Sequence, residues 1–242
     1  MWHIQKIDPA DLIVDTQYAA FVGAGGKTSL IEYLAGEMVK RNKKTAITTT
    51  TKIYARKPYM LLTPGRDAYN VADNPIRVGK TVEDGKLTAV TFYDIRELGK
   101  MFDSVLIEAD GAKGKPLKYP APYEPVIPPL SGMVFVLAGL DGLFGETKEI
   151  VFRWDMLKKI RGITGDETIS PELFSLFFTD EVLLKGIGSI PCVIVLNKYD
   201  TFMQKKVLLR IAGEIIKKTG LERVIIASLG FGIFYEIRYI RP

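Results

Sequence analysis

The chain has 242 residues, 47% of them hydrophobic and 25% charged, with a formal net charge of +5. That length suits one α/β layered domain carrying an insertion, and the composition excludes a disordered, fibrous or repeat protein. The positive charge is spread along the sequence, so it reads as a lysine-rich surface suited to a polyanionic small ligand rather than as a nucleic-acid footprint. The single cysteine, Cys192, excludes an internal disulfide and reads as a buried, inert thiol within the apolar run 192–196. Residues 1–11 are short and polar, unlike a signal peptide, and no apolar stretch has the length of a bilayer span. The cytoplasm is the expected compartment, with no membrane partner.

Short apolar runs alternate with helix-like segments, the pattern of a mostly parallel sheet with helices on both faces. The first strand, 18–22, runs into Gly23-Ala24-Gly25-Gly26-Lys27-Thr28 and a helix over 28–40. This is the layout of a phosphate-binding loop, with Ser29 next in line. Glycines let backbone N–H groups turn toward phosphate oxygens, Lys27 adds a charge, Thr28 offers a hydroxyl to Mg²⁺, and the helix N-terminus completes an anion cradle. The usual spacing puts a glycine where Phe21 stands, so the loop is two residues short, a form that resembles the loop of amide-bond-forming Mur-type ligases.

The second strand, 45–48, ends in Thr48-Thr49-Thr50-Thr51-Lys52, hydroxyls placed to reach Mg²⁺ or a second substrate. Short strands over about 58–92 suggest a β-rich insertion, with a hairpin at 82–87 turning on Asp84-Gly85. A helix is expected over 93–100. After the strand 105–107 come Glu108, Ala109, Asp110 and Gly111, with two carboxylates at the sheet end where open α/β folds bind ligands and where Mg²⁺ or a water can be positioned. From 111 to 132 the chain carries six prolines, too many for regular structure, so a long ordered or mobile loop is expected. Its Lys113, Lys115 and Lys118 read as a basic loop able to meet an anion.

The strand 133–138 ends in Gly139-Leu140-Asp141-Gly142, and helices are expected over 154–160 and 171–178. The strand 192–196 ends in Asn197-Lys198-Tyr199-Asp200, which resembles the guanine-recognition element of GTPases. There the Asp200 carboxylate accepts from the guanine N1–H and amino group, Asn197 braces the loops, and the Lys198 stem packs over the base. A helix over 202–218 stops at Gly220, and the strand 224–228 brings Ser228 to the base side. No metal cluster or nucleophile with an orienting base is readable, and His3 stands alone.

The order of these elements is similar to that of metal-chaperone GTPases. A closer resemblance runs over Gly23 to Leu30, the threonine run, Glu108-Ala109-Asp110-Gly111, Lys115-Pro116-Leu117-Lys118, Glu124-Pro125-Val126-Ile127-Pro128, Gly139-Leu140-Asp141 and Asn197 to Asp200. Together they resemble the accessory proteins of selenium-dependent molybdenum hydroxylases, the YqeC-type family. Tyr123 stands where many relatives have a histidine. The resemblance implies a P-loop NTPase-like protein in maturation of molybdenum enzymes, and no particular reaction.

The resulting expectation is a Mg²⁺-dependent GTPase or nucleotide-dependent transferase, with Lys27, Glu108 and Asp110 at its reactive centre, metal at Thr28, Glu108 and Asp110, and a molybdenum hydroxylase or its cofactor precursor as partner. Two alternatives stand beside it. One is a carrier or docking module that binds without turnover; the other is an ATP-dependent ligase or kinase, in which Asn197 to Asp200 is only a helix start.

Overall fold

A computed structural model describes residues 2–62, 73–202 and 204–239. β1 (Trp2–Lys6) leads to β2 (Tyr18–Gly23), the glycine turn and α1 (Lys27–Lys40). Next come β3 (Thr45–Thr49), β4 (Lys52–Tyr54), β5 (Tyr59–Leu61), β6 (Ile76–Gly79), β7 (Val82–Glu83) and β8 (Lys86–Thr88). Then α2 (Phe92–Leu98) precedes β9 (Ser104–Glu108), β10 (Leu117–Lys118) and β11 (Met133–Gly139). The short elements α3 (Thr147–Ile150), β12 (Val151–Phe152), α4 (Trp154–Arg161) and α5 (Pro171–Ser175) follow. The chain closes with β13 (Cys192–Asn197), α6 (Lys205–Thr219), β14 (Arg223–Ser228) and β15 (Ile233–Tyr239).

Among the described residues the main sheet has ten strands, in the order β1-β15-β14-β13-β11-β2-β9-β3-β6-β5. Every pairing from β14 across to β5 is parallel, while β15 runs antiparallel to both neighbours. The strands read from apolar runs stand contiguously in the middle, from β14 to β3. Their side chains are buried on both faces, which is why they read as continuous apolar runs rather than alternating ones.

The period of two along each strand sends successive side chains to opposite faces. Phe21 and Phe135, stacked with centroids 5.0 Å apart, share a cluster with Leu30, Ile31, Leu34 and Met38 of α1. Ala20, Val22, Val134 and Val136 belong to the cluster that holds Leu208, Ile211, Ala212 and Ile215 of α6. Ile95 and Leu98 of α2 pack with Val105 and Ile107. The fold is therefore α/β with helices on both faces, as the alternation predicts.

Some boundaries differ. The helix expected over 171–178 ends at Ser175, and turns carry Phe177 and Phe178 into the core. The helix expected from 202 begins at Lys205, and residue 203 lies outside the described residues. Of the region 58–92, residues 63–72 also lie outside them; within the rest, β5 and β6 extend the main sheet, whereas β7 and β8 join β4, which precedes the region, in a separate three-stranded sheet. The 82–87 hairpin turns through Asp84 at φ 49° and Gly85 at φ 71°, the paired left-handed conformation of a tight hairpin.

The proline-rich segment 111–132 is ordered and laced to the sheet. β10 pairs in parallel with β12, the Val126 N–H donates to Ala109 O, and Lys118, Tyr119, Ala121 and Glu124 are buried. Cys192 is half-buried, and burial pushes its thiol up, away from reactivity at neutral pH. Among the described residues no helix is long and apolar enough to cross a membrane.

Candidate functional site

The strand-end motifs singled out in the sequence reach the same rim. Parallel pairing with small offsets brings Gly23, Glu108, Gly139, Asn197 and Ser228 to the carboxyl ends of adjacent strands. Gly139 pairs with Asn197 and Thr49 with Glu108. β2 sits where the chain order reverses, with β9 and β3 to one side and β11, β13 and β14 to the other, the crevice position of open α/β sheets. At one strand spacing per step, β13 lies about 10 Å from β2.

The glycine turn is held by close backbone packing. Gly25 has φ +77°, and a Cβ there would meet the Gly139 nitrogen at 2.2 Å; Gly26 has φ +127°. The Gly23 N–H donates to Asp110 Oδ2, the Ala24 N–H to Leu137 O and the Gly25 N–H to Lys115 O. These three amides therefore brace the loop rather than face a ligand. The anion-binding capacity moves to the start of α1, at Gly26, Lys27, Thr28 and Ser29, where no side chain caps the helix. The first N–H groups of a helix have no intrahelical partner, and the macrodipole adds positive potential there.

Lys27 is buried and folded back. Its Nζ donates to Gly23 O at 2.5 Å and pairs with Asp110 Oδ1 at 3.1 Å. The Thr28 hydroxyl donates to Glu108 Oε2 at 2.8 Å. Burial pushes the Glu108 carboxyl above its usual range, offset in part by the Lys27 charge and the Thr28 hydrogen bond. Thr28 and Glu108 are thus neighbouring hard-oxygen donors of the kind Mg²⁺ accepts, the remaining ligands in such sites being water and phosphate. Among the described residues no group of three or more His, Cys, Asp or Glu forms a metal site.

Asp110, expected as a metal ligand, is engaged by the protein's own groups here: Oδ2 accepts from the Gly23 N–H and Lys118, and Oδ1, buried without a hydrogen bond, pairs with Lys27 at 3.1 Å. The Lys118 Nζ spends all three of its donors, on Asp110 Oδ2 at 2.9 Å, Gly111 O at 2.7 Å and Glu124 Oε2 at 2.7 Å. Arg153 then clamps Glu124 with two bonds, at 2.5 and 3.0 Å, while lying over the Phe152 ring. Burial pushes the Glu124 carboxyl up, but the bonds from Arg153 and Lys118 outweigh it and hold its pKa at about 2. A buried chain of alternating charge therefore runs from the phosphate loop to the proline-rich segment.

Lys118 is accordingly neither a solvated surface lysine nor a free anion receptor, and Lys115 donates to Glu149 O. The threonine run is committed as well: Thr48 Oγ1 donates to Val78 O, Thr49 Oγ1 to Glu108 O and Thr50 Oγ1 to Val126 O. These hydroxyls stitch strand ends and the proline-rich segment together instead of reaching a metal. Sequence reasoning missed Arg153 and the Lys118–Glu124 pairing. The available signal was a lysine and a glutamate inside proline- and apolar-rich runs, where a charge is buried only if paired.

On the other side of the loop, Asn197 is buried, and its Nδ2 donates to Gly25 O at 2.8 Å while Oδ1 accepts from the Leu229 N–H at 3.4 Å. Lys198 takes a left-handed backbone, φ 65°, and its Nζ pairs with Asp141 Oδ2 at 2.5 Å. Asp200 is exposed, and its N–H donates to the buried Ser228 Oγ at 2.9 Å. Tyr199–Thr201 form a single 3₁₀ turn.

Against known proteins, the family model described as YqeC protein matches residues 19–155, more than half of the chain. The chain belongs to the YqeC family. A relative of this YqeC-family chain, the Escherichia coli (strain K12) protein named "Uncharacterized protein YqeC", is 32% identical over 179 residues, covering 67% of this chain and 70% of the relative. Among solved structures, a crystal structure of FlhF complexed with GMPPNP/Mg(2+) is similar with a TM-score of 0.39 and 16% identity. The match covers 82% of this chain and 62% of that one, so this chain spans less than two thirds of the FlhF chain. The residues matched to the YqeC model include the phosphate loop and the whole ion chain from Asp110 to Arg153, whereas Asn197 and Asp200 lie beyond them.

Proposed function

We propose that this YqeC-family chain binds a guanosine triphosphate with Mg²⁺ and acts as a GTPase or nucleotide-dependent transferase in maturation of selenium-dependent molybdenum hydroxylases. The maturation role rests on the family. The guanine reading is carried by the buried bond from Asn197 to Gly25, which joins the base-side motif to a phosphate loop 172 residues earlier. A mere helix start, as in the ligase or kinase reading, gives Asn197 no reason to be buried in that contact.

In this reading the triphosphate lies along the rim from β14 toward β9. The uncapped start of α1 meets the phosphates, Asp200 selects the base beside Ser228, and Lys198 covers it. Thr28 and Glu108 would hold Mg²⁺, which supplies charge neutralisation of the phosphate oxygens. Lys27 leaves Gly23 O and Asp110 to meet a phosphate oxygen. Asp110 then keeps only Lys118 and the Gly23 N–H, and that change in charge balance is passed through Lys118 and Glu124 to the proline-rich segment.

Competition between GTP and ATP for purified protein with Mg²⁺ is expected to favour GTP. Asp200→Asn should weaken GTP by about tenfold or more, the worth of a charge-assisted hydrogen bond, while admitting xanthosine triphosphate. Equal affinity for GTP and ATP ends the guanine assignment. Phosphate release under the same conditions separates an enzyme from a carrier that binds without turnover.

A further inference from the structure

Behind the Thr28–Glu108 pair, on the side away from the base, a pocket opens between α1 and the segment carrying β4 to β6. Its walls include Thr28, Glu108, Glu32, Tyr54, Arg56 and Arg77, over an apolar floor of Ile31, Ile47 and Ile53. The nucleotide reading uses its Thr28 and Glu108 edge but not Glu32, Arg56 or Arg77. Arg56 Nη1 and Arg77 Nη2 converge on one atom, Glu32 Oε1, at 3.0 and 2.7 Å.

This arrangement has three consequences. A single carboxylate oxygen, Glu32 Oε1, takes both guanidinium groups, and with Glu108 also in the lining two arginines are balanced by two glutamates, so removing Glu32 leaves an excess positive charge beside the end of the phosphate loop. Arg56 spends one donor on that oxygen, and Arg77 one on it and another on the Arg56 carbonyl, while a planar fork with five N–H donors has more to offer an oxyanion. The free volume is about 10 Å³, close to the room of one water, so a ligand enters only by taking the place of the Glu32 side chain. Glu32 is a third exposed on its helix surface and can swing outward, whereas Arg77 is 14% exposed and held by β6. The resting pocket thus contains its own substitute anion.

We propose that this pocket binds a second ligand: a small, partly apolar molecule whose oxyanion group, phosphate or carboxylate, displaces Glu32 and is held by Arg56 and Arg77. The apolar floor and the Tyr54 ring take the body of the molecule, and the adjacent Thr28–Glu108 pair brings it next to the terminal phosphate of a bound nucleotide. The position of this ligand relative to a nucleotide rests on the reading given under Proposed function; the oxyanion site itself rests on Arg56, Arg77 and Glu32.

The test saturates the full chain with Mg²⁺ and a non-hydrolysable GTP analogue, so that the start of α1 is blocked, and titrates inorganic phosphate (³¹P NMR) and, separately, acetate (¹³C NMR). At least one of the two is expected to bind, and which binds tighter identifies the group as phosphate or carboxylate. Arg77→Gln is expected to weaken that binding by about tenfold or more, the loss of one charge-assisted hydrogen bond. Glu32→Gln is expected to tighten it, a gain that a misfolded variant cannot imitate. Failure of both anions to bind, or equal binding by wild type, Arg77→Gln and Glu32→Gln, overturns the proposal. Affinity of the wild type for the nucleotide analogue, measured in the same samples, reports separately on the phosphate loop. An Arg77-dependent anion site in a protein indifferent to nucleotide sinks the nucleotide reading and leaves the anion site standing.

Discussion

Lys118→Met is expected to lower the thermal midpoint by roughly 10 °C, the consequence of removing one partner from a buried ion cluster at about 3–5 kcal/mol. The lysine is 1% exposed, and its three donors are spent on Asp110, the Gly111 carbonyl and Glu124. Methionine fills a similar volume but leaves those acceptors short of a proton donor in a site water does not reach. Unfolding followed by circular dichroism checks this, and a variant that melts within 2 °C or so of wild type contradicts the cluster. Lys100, exposed and among the described residues paired with Glu97 alone, is the matched control, and its loss should be nearly silent.

The same cluster sets an acid dependence. Glu124 is held at about 2 in the folded chain against an ordinary value of 4.5. A depressed carboxylate contributes stability that is fully present above the unfolded value and is lost as pH falls toward the folded one. Stability should therefore decline between pH 4.5 and 2 in part through Glu124, and Glu124→Gln should flatten that part of the curve while lowering stability at neutral pH. A wild-type and a Glu124→Gln curve that stay parallel over this range would remove Glu124 as the cause.

Lys27→Met is expected to weaken Mg²⁺-nucleotide binding by about 100-fold, one to two charge-assisted hydrogen bonds at roughly 1.5–3 kcal/mol each. Here the structural and functional effects separate. Asp110 loses one cation but keeps Lys118 and the Gly23 N–H, so the fold is expected to suffer less than in Lys118→Met. Calorimetric titration with GTP and Mg²⁺ measures the change, and wild-type affinity in the variant would mean that triphosphate does not meet Lys27 at all. Comparing Lys27→Met with Lys118→Met therefore tells a ligand-facing charge from a structural one, although both lysines contact the same carboxylate.

Much of the framework was legible because it is local. The runs at 18–22 and 192–196 are strands on composition alone, and Gly25-Gly26-Lys27 between a strand and a helix declares its turn through φ angles that side chains other than glycine rarely adopt. Other features were hidden. Asp110 reads as a metal ligand because a carboxylate at a strand end suits one, and no local pattern showed that lysines from α1 and from the proline-rich segment would pair with it. The amides of Gly23, Ala24 and Gly25 looked free for phosphate until Asp110, Leu137 and Lys115 came to meet them. The threonine run invited a ligand role, but its hydroxyls bond to carbonyls of β6, β9 and the segment around Val126.

By itself the amino-acid order determined the α/β class, the phosphate-loop turn and the sequence of strand-end motifs, because periodicity and turn chemistry are properties of neighbouring residues. Only the tertiary structure decided which charges are partners and which are available. It buried Lys118 against Asp110 and Glu124, turned Lys27 inward, tied Asn197 to Gly25, and set Arg56 and Arg77 around Glu32. Those outcomes depend on desolvation and on distances of about 3 Å between side chains far apart along the chain, and no local pattern encodes them.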